Sequence, residues 1–417
     1  MKQLILSLCI CCFGQFTFAQ VVSSIDFEGA TKTDTDYLMA LIDSKVGEPF
    51  DSLTVKEDVQ RLKNLNLFFS VDGEYKEENS GDYSIRFIIQ EAVYLYPILS
   101  ISGFDDQLKI QAGANQINFL GRAQSLGVQY QYYDRHSIAL FYNAPRHANR
   151  KTGHEVALAK YSTIEPLYFS DTTSSFNFDN YSVSLGGFYW LGNKWRLGIG
   201  GMYMWEKYEQ IDNADIGLGK KEFAFNKYQV RLKADYFGIN QHFEFMDGIA
   251  ASVFTETIQT QDVPQASFFK ATTDFRYFKR IGRSGNFGLR NRLGISTNNF
   301  SPFAPFVLDG FINVRGIGNR VARGTAELIV NTEYRYTVMR KKYFIAQVAG
   351  FADYGTLRGA GQSFQSLFNE NTIHLFLGGG LRLHSRYIYK TIIRLDYSIN
   401  PTNPTEKAFT FGLGQFF

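Results

Sequence analysis

After residue 12 this chain has no cysteine. Its three cysteines, Cys9, Cys11 and Cys12, crowd the extreme N-terminus. The rest can therefore form no disulfide and can use no thiol as nucleophile or metal ligand. Nor does a run of about eighteen apolar residues occur after that start, which excludes a helical membrane span. No sign of charge dominates: 43 Lys and Arg face 40 Asp and Glu, a net of +3. That balance is too even for a nucleic-acid binder. The six histidines (His136, His147, His154, His242, His374 and His384) show no His-x-x-x-His or comparable metal spacing. A Gly-x-x-x-x-Gly-Lys phosphate loop is also missing, and Gly378-Gly379-Gly380 falls in a strand-like segment, where small residues serve close packing. His136 stands near Asp134 and Ser137, but at a tight strand junction and without a nucleophile elbow. These absences leave no enzyme, metal or cofactor to expect.

Aromatics are abundant. They make up 16% of the chain, with 39 Phe and 25 Tyr. That is high for a soluble protein and suits aromatic girdles at two membrane interfaces. The mean hydropathy of −0.19 is no objection, because alternating strands average to near neutrality.

Residues 1–20 read as a secretory signal peptide. Lys2 gives the positive start, Leu4 to Phe13 the apolar core, and Thr17-Phe18-Ala19 a small-residue cleavage site. A lipoprotein signal would need a small residue before its cysteine, and Ile10 precedes Cys11. Residues 21–93 then read as one small α/β domain. Val22, Ile25 and Phe27 start a strand ending at Gly29, and a helix runs from about Asp34 to Asp43 with threonines as caps. Gly47-Glu48-Pro49-Phe50 breaks the chain. A second helix is expected from the capping box Thr54-Val55-Lys56-Glu57, with Val55, Val59, Leu62 and Leu65 on one stripe. Leu67–Tyr75 and Tyr83–Val93 form a hairpin turned at Asn79-Ser80-Gly81-Asp82.

From Tyr94 to Phe417 the pattern is alternation, with about sixteen strand candidates of membrane-crossing length or more. They include Tyr94–Gly103, Tyr181–Leu191, Glu222–Phe237, Gly324–Val338, Tyr343–Gly355 and Ala408–Phe417. In Gly324–Val338, Thr325, Glu327, Ile329, Asn331, Glu333, Arg335 and Thr337 share one face. Ala326, Leu328, Val330, Thr332, Tyr334, Tyr336 and Val338 share the other, as a barrel wall between lipid and a polar lumen requires. Tyr343–Gly355 repeats the pattern and puts Asp353 inward. Before them lies a loop, 301–323, holding Val314-Arg315-Gly316. Arg315, Glu333 and Asp353 are thus candidates to meet inside a barrel, since a guanidinium fork matches carboxylates. Arg382, Arg394 and Asp396 also fall inward and read as ordinary lumen charges.

The loop Val314-Arg315-Gly316, the strand Asn331-Thr332-Glu333-Tyr334-Arg335-Tyr336 and the strand Phe351-Ala352-Asp353-Tyr354-Gly355 resemble the C-terminal signature of the BamA/TamA superfamily of outer-membrane proteins. The resemblance implies a membrane β-barrel of about sixteen antiparallel strands over 94–417, preceded by a POTRA-like periplasmic domain over 21–93. The lumen loop 301–323 would be anchored by Arg315 and Gly316 against Glu333 and Asp353. Gly47-Glu48-Pro49-Phe50 before a helix fits the POTRA pattern, and Asn118-Phe119-Leu120-Gly121-Arg122-Ala123 resembles the family's turn near the barrel start. Phe409, Phe411, Leu413 and the terminal Phe417 resemble its C-terminal insertion signal. Pro97 and Gly103 in the first strand fit either a weak barrel seam or a linker.

By the same resemblance the chain works in the outer membrane of a diderm bacterium, with 21–93 in the periplasm. The implied role is a specialised or accessory assembly and insertion factor that captures clients and opens its seam laterally. A dedicated polypeptide translocator of the two-partner-secretion kind and a passive porin are the alternatives. Implied partners are the lipid bilayer and lipopolysaccharide, unfolded outer-membrane protein clients, and periplasmic or lipoprotein partners of 21–93; no nucleic acid is expected. One departure is Ile317, where the family usually has an aromatic. Another is the single periplasmic domain.

Overall fold

The computed structural model describes residues 20–417 except 66, 80, 103–107, 148–150, 170–171, 217–220, 261–265, 300–302, 311, 319–321 and 387–390. Up to residue 19 the expected signal peptide, with Cys9, Cys11 and Cys12, lies outside the described residues, as do Gly103, Asn319 and Arg320. The chain forms two compact units, Met1–Glu91 and Ala92–Phe417.

The first unit runs β1 (Val22–Glu28), α1 (Thr35–Leu41), α2 (Ser52–Lys63), β2 (Phe68–Glu77) and β3 (Tyr83–Glu91). Its sheet has the order β1-β3-β2, with β1 parallel and β2 antiparallel to β3. Leu38, Leu41, Val55 and Leu62 of the helices are buried, as are Val71, Ile85, Phe87 and Ile89 of the sheet. α2 starts earlier than the capping-box expectation. Both carboxylate oxygens of Asp51 accept backbone N–H bonds, from Leu53 at 3.0 Å and Thr54 at 3.1 Å, so the first turn is closed before Thr54 could act as cap. At α1 it is Asp34, not a threonine, that caps, accepting from Tyr37 N–H at 3.0 Å. Glu91 ends the sheet. Its burial raises its pKa, but bonds from the Thr33 and Thr31 hydroxyls and the Lys32 and Thr33 amides outweigh that and hold it below the usual range.

The second unit is a closed antiparallel barrel of sixteen strands. Its first half is β4 (Leu95–Ser102), β5 (Lys109–Phe119), β6 (Gln124–Tyr133), β7 (Arg135–Ala144), β8 (Thr152–Tyr168), β9 (Thr173–Leu191), β10 (Trp195–Gln210) and β11 (Glu222–His242). β12 (Phe245–Gln259), β13 (Phe268–Ile281) and β14 (Gly285–Ser296) follow. Then comes the long loop, carrying its own hairpin of β15 (Phe306–Leu308) and β16 (Ala322–Gly324). β17 (Ala326–Arg340), β18 (Phe344–Arg358), β19 (His374–Ser385), β20 (Ile392–Ile399) and β21 (Lys407–Leu413) complete the wall, and β21 closes on β4. The loop therefore follows the eleventh barrel strand, where the alternation put it.

Alternation sorts the side chains. On β17, Asn331, Glu333 and Arg335 are buried inward while Tyr334, Tyr336 and Val338 are exposed outward. The same outward face carries Leu185, Ile199, Val230, Val348 and Leu381, an apolar surface that only lipid would cover. Lengths are uneven: β8, β9, β10 and β11 have 17, 19, 16 and 21 residues, but β20, β21 and β4 only 8, 7 and 8. β9 begins at Thr173 rather than Tyr181 because Phe176 and Phe178 face inward, so the phase reads as polar outside. β21 stops at Leu413 instead of running on to Phe417. Gly414, with φ +96°, turns the chain, and Phe417 stacks on Phe278 at 5.9 Å. At the Asn118–Ala123 turn, Leu120, Gly121 and Ala123 all have positive φ, and the Asn118 side chain accepts from Ala123 N–H at 2.9 Å.

Candidate functional site

The loop enters the barrel through a compact turn. Gly310 N–H donates to Gly318 O at 2.6 Å, and Asn313 braces the turn by accepting from Asp309 N–H at 2.7 Å and donating to Val307 O at 2.8 Å. This places Arg315 where no solvent reaches it. Its Nε and Nη2 donate to Asp353 at 2.7 and 2.9 Å, and its Nη1 to Glu333 at 2.5 Å. The Arg315 backbone N–H adds a third bond to Asp353 at 3.0 Å. The guanidinium lies flat on Phe351, 3.6 Å from the ring centroid. Gly316 follows with φ +96°, and a Cβ there would sit 2.3 Å from Ser398 Oγ and 2.6 Å from Phe376 Cδ1. Only glycine fits both the conformation and the space.

All three charges named from sequence meet, and others join them. Arg382 and Asp396 are not independent lumen charges: Arg382 donates to Glu333 at 3.0 Å and to Asp396 at 2.6 Å. Asp396 lies 3.7 Å from Arg315 and 3.3 Å from Arg394. Arg335 donates through Nε to Glu333 at 2.6 Å, and Asn331 bridges Asp353 and the Asn313 carbonyl at 2.9 and 2.8 Å. Asn331 and Arg335 shared the inward face with Glu333, so their phase was the signal that could have found them. In dry surroundings such a network holds only because each charge has partners; charges buried without them are strongly destabilising. Phe416, just past the strand end, stacks over Arg315 at 4.5 Å and Arg394 at 5.1 Å. Phe417 thus leaves the outward row of Phe409 and joins Phe416 inside.

Two further attachments pin the loop to other walls. Asp309 pairs with Lys109 of β5 at 3.3 Å, both buried. Arg323 forms an ion pair with Glu165 of β8, and Phe303 packs into a buried cluster with Leu167, Phe176, Phe178, Tyr208 and Phe225. Ile317, in the aromatic's usual place, packs with Val314, Leu308 and Phe376. The loop is a strut across the lumen. The triad residues of the sequence reading are engaged elsewhere: Ser137 Oγ donates to Ser162 O at 3.0 Å, and His136 bonds the Tyr130 hydroxyl at 2.7 Å. Gly378 and Gly380 give close packing, since a Cβ at either would lie 2.2 Å from Phe351 or 2.1 Å from Asp396.

Comparison with known proteins agrees with this geometry. No curated protein matches the chain. Among solved structures it is similar to BamA from Haemophilus ducreyi lacking POTRA domains 1–3, at 14% identity over 94% of this chain and 84% of that one, with TM-score 0.57. It is similar also to CdiB from Acinetobacter baumannii, at 14% identity over 95% of this chain and 74% of that one, with TM-score 0.62. For CdiB from Escherichia coli the values are 11%, 95%, 77% and 0.65. At such identities the likeness is one of fold. A POTRA profile, described as a surface antigen variable number repeat, matches residues 20–92, and the Omp85 superfamily domain matches residues 118–417. With that domain covering most of its length, the chain belongs to the Omp85 superfamily.

Proposed function

We propose that this protein is an outer-membrane assembly and insertion factor of the BamA/TamA type, specialised or accessory in role, with residues 20–92 in the periplasm of a diderm bacterium. The observation that carries this reading is the seam. Pairing thins toward it: among the described residues seventeen register pairs join β8 and β9, eight join β19 and β20 and seven join β20 and β21, and β21, seven residues long, can offer β4 no more than seven. A short ladder is the least costly place to part a barrel wall, and a parted wall offers unpaired strand edges to an incoming strand. Lowering the insertion barrier this way needs no cofactor. The periplasmic unit would hold the client first, by strand addition to the edge of β1 or β2. Phe409, Phe411 and Leu413 would serve this barrel's own insertion, and lipopolysaccharide would face its outer rim.

Polypeptide passage through the lumen is the second reading, favoured by the loop strut: it is held by side chains at three walls, so releasing them would open a path. Both readings meet one experiment. Cysteines at the register pair Ser102 and Thr410, oxidised to lock the seam, abolish client assembly, and reduction restores it. Full activity in the locked form overturns seam opening and leaves lumen passage. A passive porin is disfavoured by a lumen crossed by Val314 and Arg315, both fully buried.

A further inference from the structure

The two rims of the barrel carry opposite charge. At the rim where β4 begins, the described residues of the seven turns (120–123, 145–147 and 151, 192–194, 243–244, 282–284, 341–343, 386 and 391) hold eight Lys and Arg and a single acid, Glu244. That acid is engaged by Arg340 at 2.9 Å. At the other rim the balance reverses. Among the described residues, the seven connecting segments other than the lumen loop hold five Asp and Glu (Asp134, Asp212, Asp215, Glu370 and Glu406) and one base, Lys221. The basicity belongs to this rim and not to the N-terminal part of the chain in general, since residues 20–92 hold fifteen acids and seven bases.

Lys151, Lys194, Arg283, Lys341, Lys342 and Arg386 of the basic turns are exposed. Beside them, on the outward face, stand exposed Leu191, Trp195, Ile281 and Tyr343, continuous with the lipid-facing belt. On the inward face at the same level, Trp190 is fixed with its Nε1 donating to Pro145 O at 2.6 Å and the Arg146 guanidinium 3.8 Å over its ring. Aromatic rings settle where acyl chains meet headgroups, and long basic side chains extend from that depth to the phosphates. A ring of cations directly above such rings matches a layer of phosphodiesters. A polypeptide docking from the water would have no use for the outward apolar neighbours.

We propose that this basic collar binds the anionic phospholipid headgroups of the leaflet that surrounds the rim where β4 begins. The surface would hold the barrel at a set depth and gather acidic lipid around it, whichever way clients pass.

The outward Trp195 tests this in a W190F/W205F background, because bromine on a lipid chain quenches an indole it touches, and Trp195 stands exposed at the collar. Full-length protein is reconstituted in phosphatidylcholine vesicles with a minor fraction of brominated phosphatidylglycerol. The expected result is severalfold enrichment of phosphatidylglycerol over phosphatidylcholine at low salt, falling toward one at high salt. The double variant K151Q/K194Q lowers the enrichment toward one, since each base near the surface contributes at most about a fivefold preference. K221Q, at the opposite rim, leaves it unchanged. Brominated phosphatidylcholine quenches all variants alike, which reports equal insertion. A wild-type ratio of one overturns the proposal and returns the collar to an acidic polypeptide. A ratio that K151Q/K194Q leaves untouched overturns it as well.

Discussion

Arg315 is satisfied by geometry that no other residue could copy. Its planar fork spans Asp353 and Glu333 while its face rests on Phe351, and a lysine ammonium could hold one carboxylate but not both with the stacking. Arg315→Ala leaves buried carboxylates short of a counter-charge and should cost about 3–5 kcal/mol. The unfolding midpoint of the barrel in denaturant should drop accordingly, with Arg315→Lys in between. A second residue-scale outcome concerns Asp212, in the segment between β10 and β11. The Ser175 backbone N–H, then the Ser174 hydroxyl, lower its pKa from 3.8 to about 2. Because the folded value is depressed, the stabilisation is present above the unfolded pKa and is lost as pH falls from about 4 through about 2. Pepsin should therefore leave residues 211–215 intact near pH 4 and cut them near pH 2, while D212N is cut at both. Of these residues, Arg315 was legible because its loop motif Val314-Arg315-Gly316 precedes two strands whose alternation turns Glu333 and Asp353 inward. Arg382 and Asp396 were read as ordinary because a face assignment does not give distance across a lumen.

At the scale of elements, the loop and β18 fit through a missing side chain. A Cβ on Gly355 would lie 2.5 Å from Val314 Cγ2 and 3.1 Å from Leu308 Cδ2, so the strand and the loop touch backbone to side chain. Gly355→Ala should push the loop off the wall without breaking the strand. Protease cleavage between residues 309 and 318 should rise several-fold while the folded barrel's heat-modified gel mobility stays as in the wild type. Boundaries were less legible than existence. The row Phe409, Phe411, Leu413 reads on through Phe417, because a glycine near a strand end looks the same whether it continues or turns; Gly414 turns. In β9 the inward Phe176 and Phe178 inverted the expected polarity, since this part of the lumen is filled by Phe303 and not by water. α2 began earlier than expected because Asp51 out-competed the capping box at Thr54.

The second unit is a barrel whose lumen is spanned by one loop and whose wall ends in two short strands, β20 and β21. Three attachments to β5, β8 and the β17–β20 wall hold the strut, so loosening one leaves two. Planar-bilayer recordings should show small, flickering currents for the wild type. Removing residues 309–318 should give a steady and larger conductance; no change on removal would mean that the loop does not occlude the lumen.

Alternation by itself determined the strand count, the faces and the place of the loop after the eleventh strand. A period of two is a local property, and burial of one face writes it into every strand. The Arg315 signature likewise lay in one stretch of chain. That Arg335, Arg382 and Asp396 join the Arg315 cluster, that β21 closes on β4 and which turns share a rim were decided by tertiary structure. Each joins side chains or turns of separate strands, up to the 311 positions between Ser100 and Phe411, brought together only when β21 closes on β4 and the strands assemble into a ring.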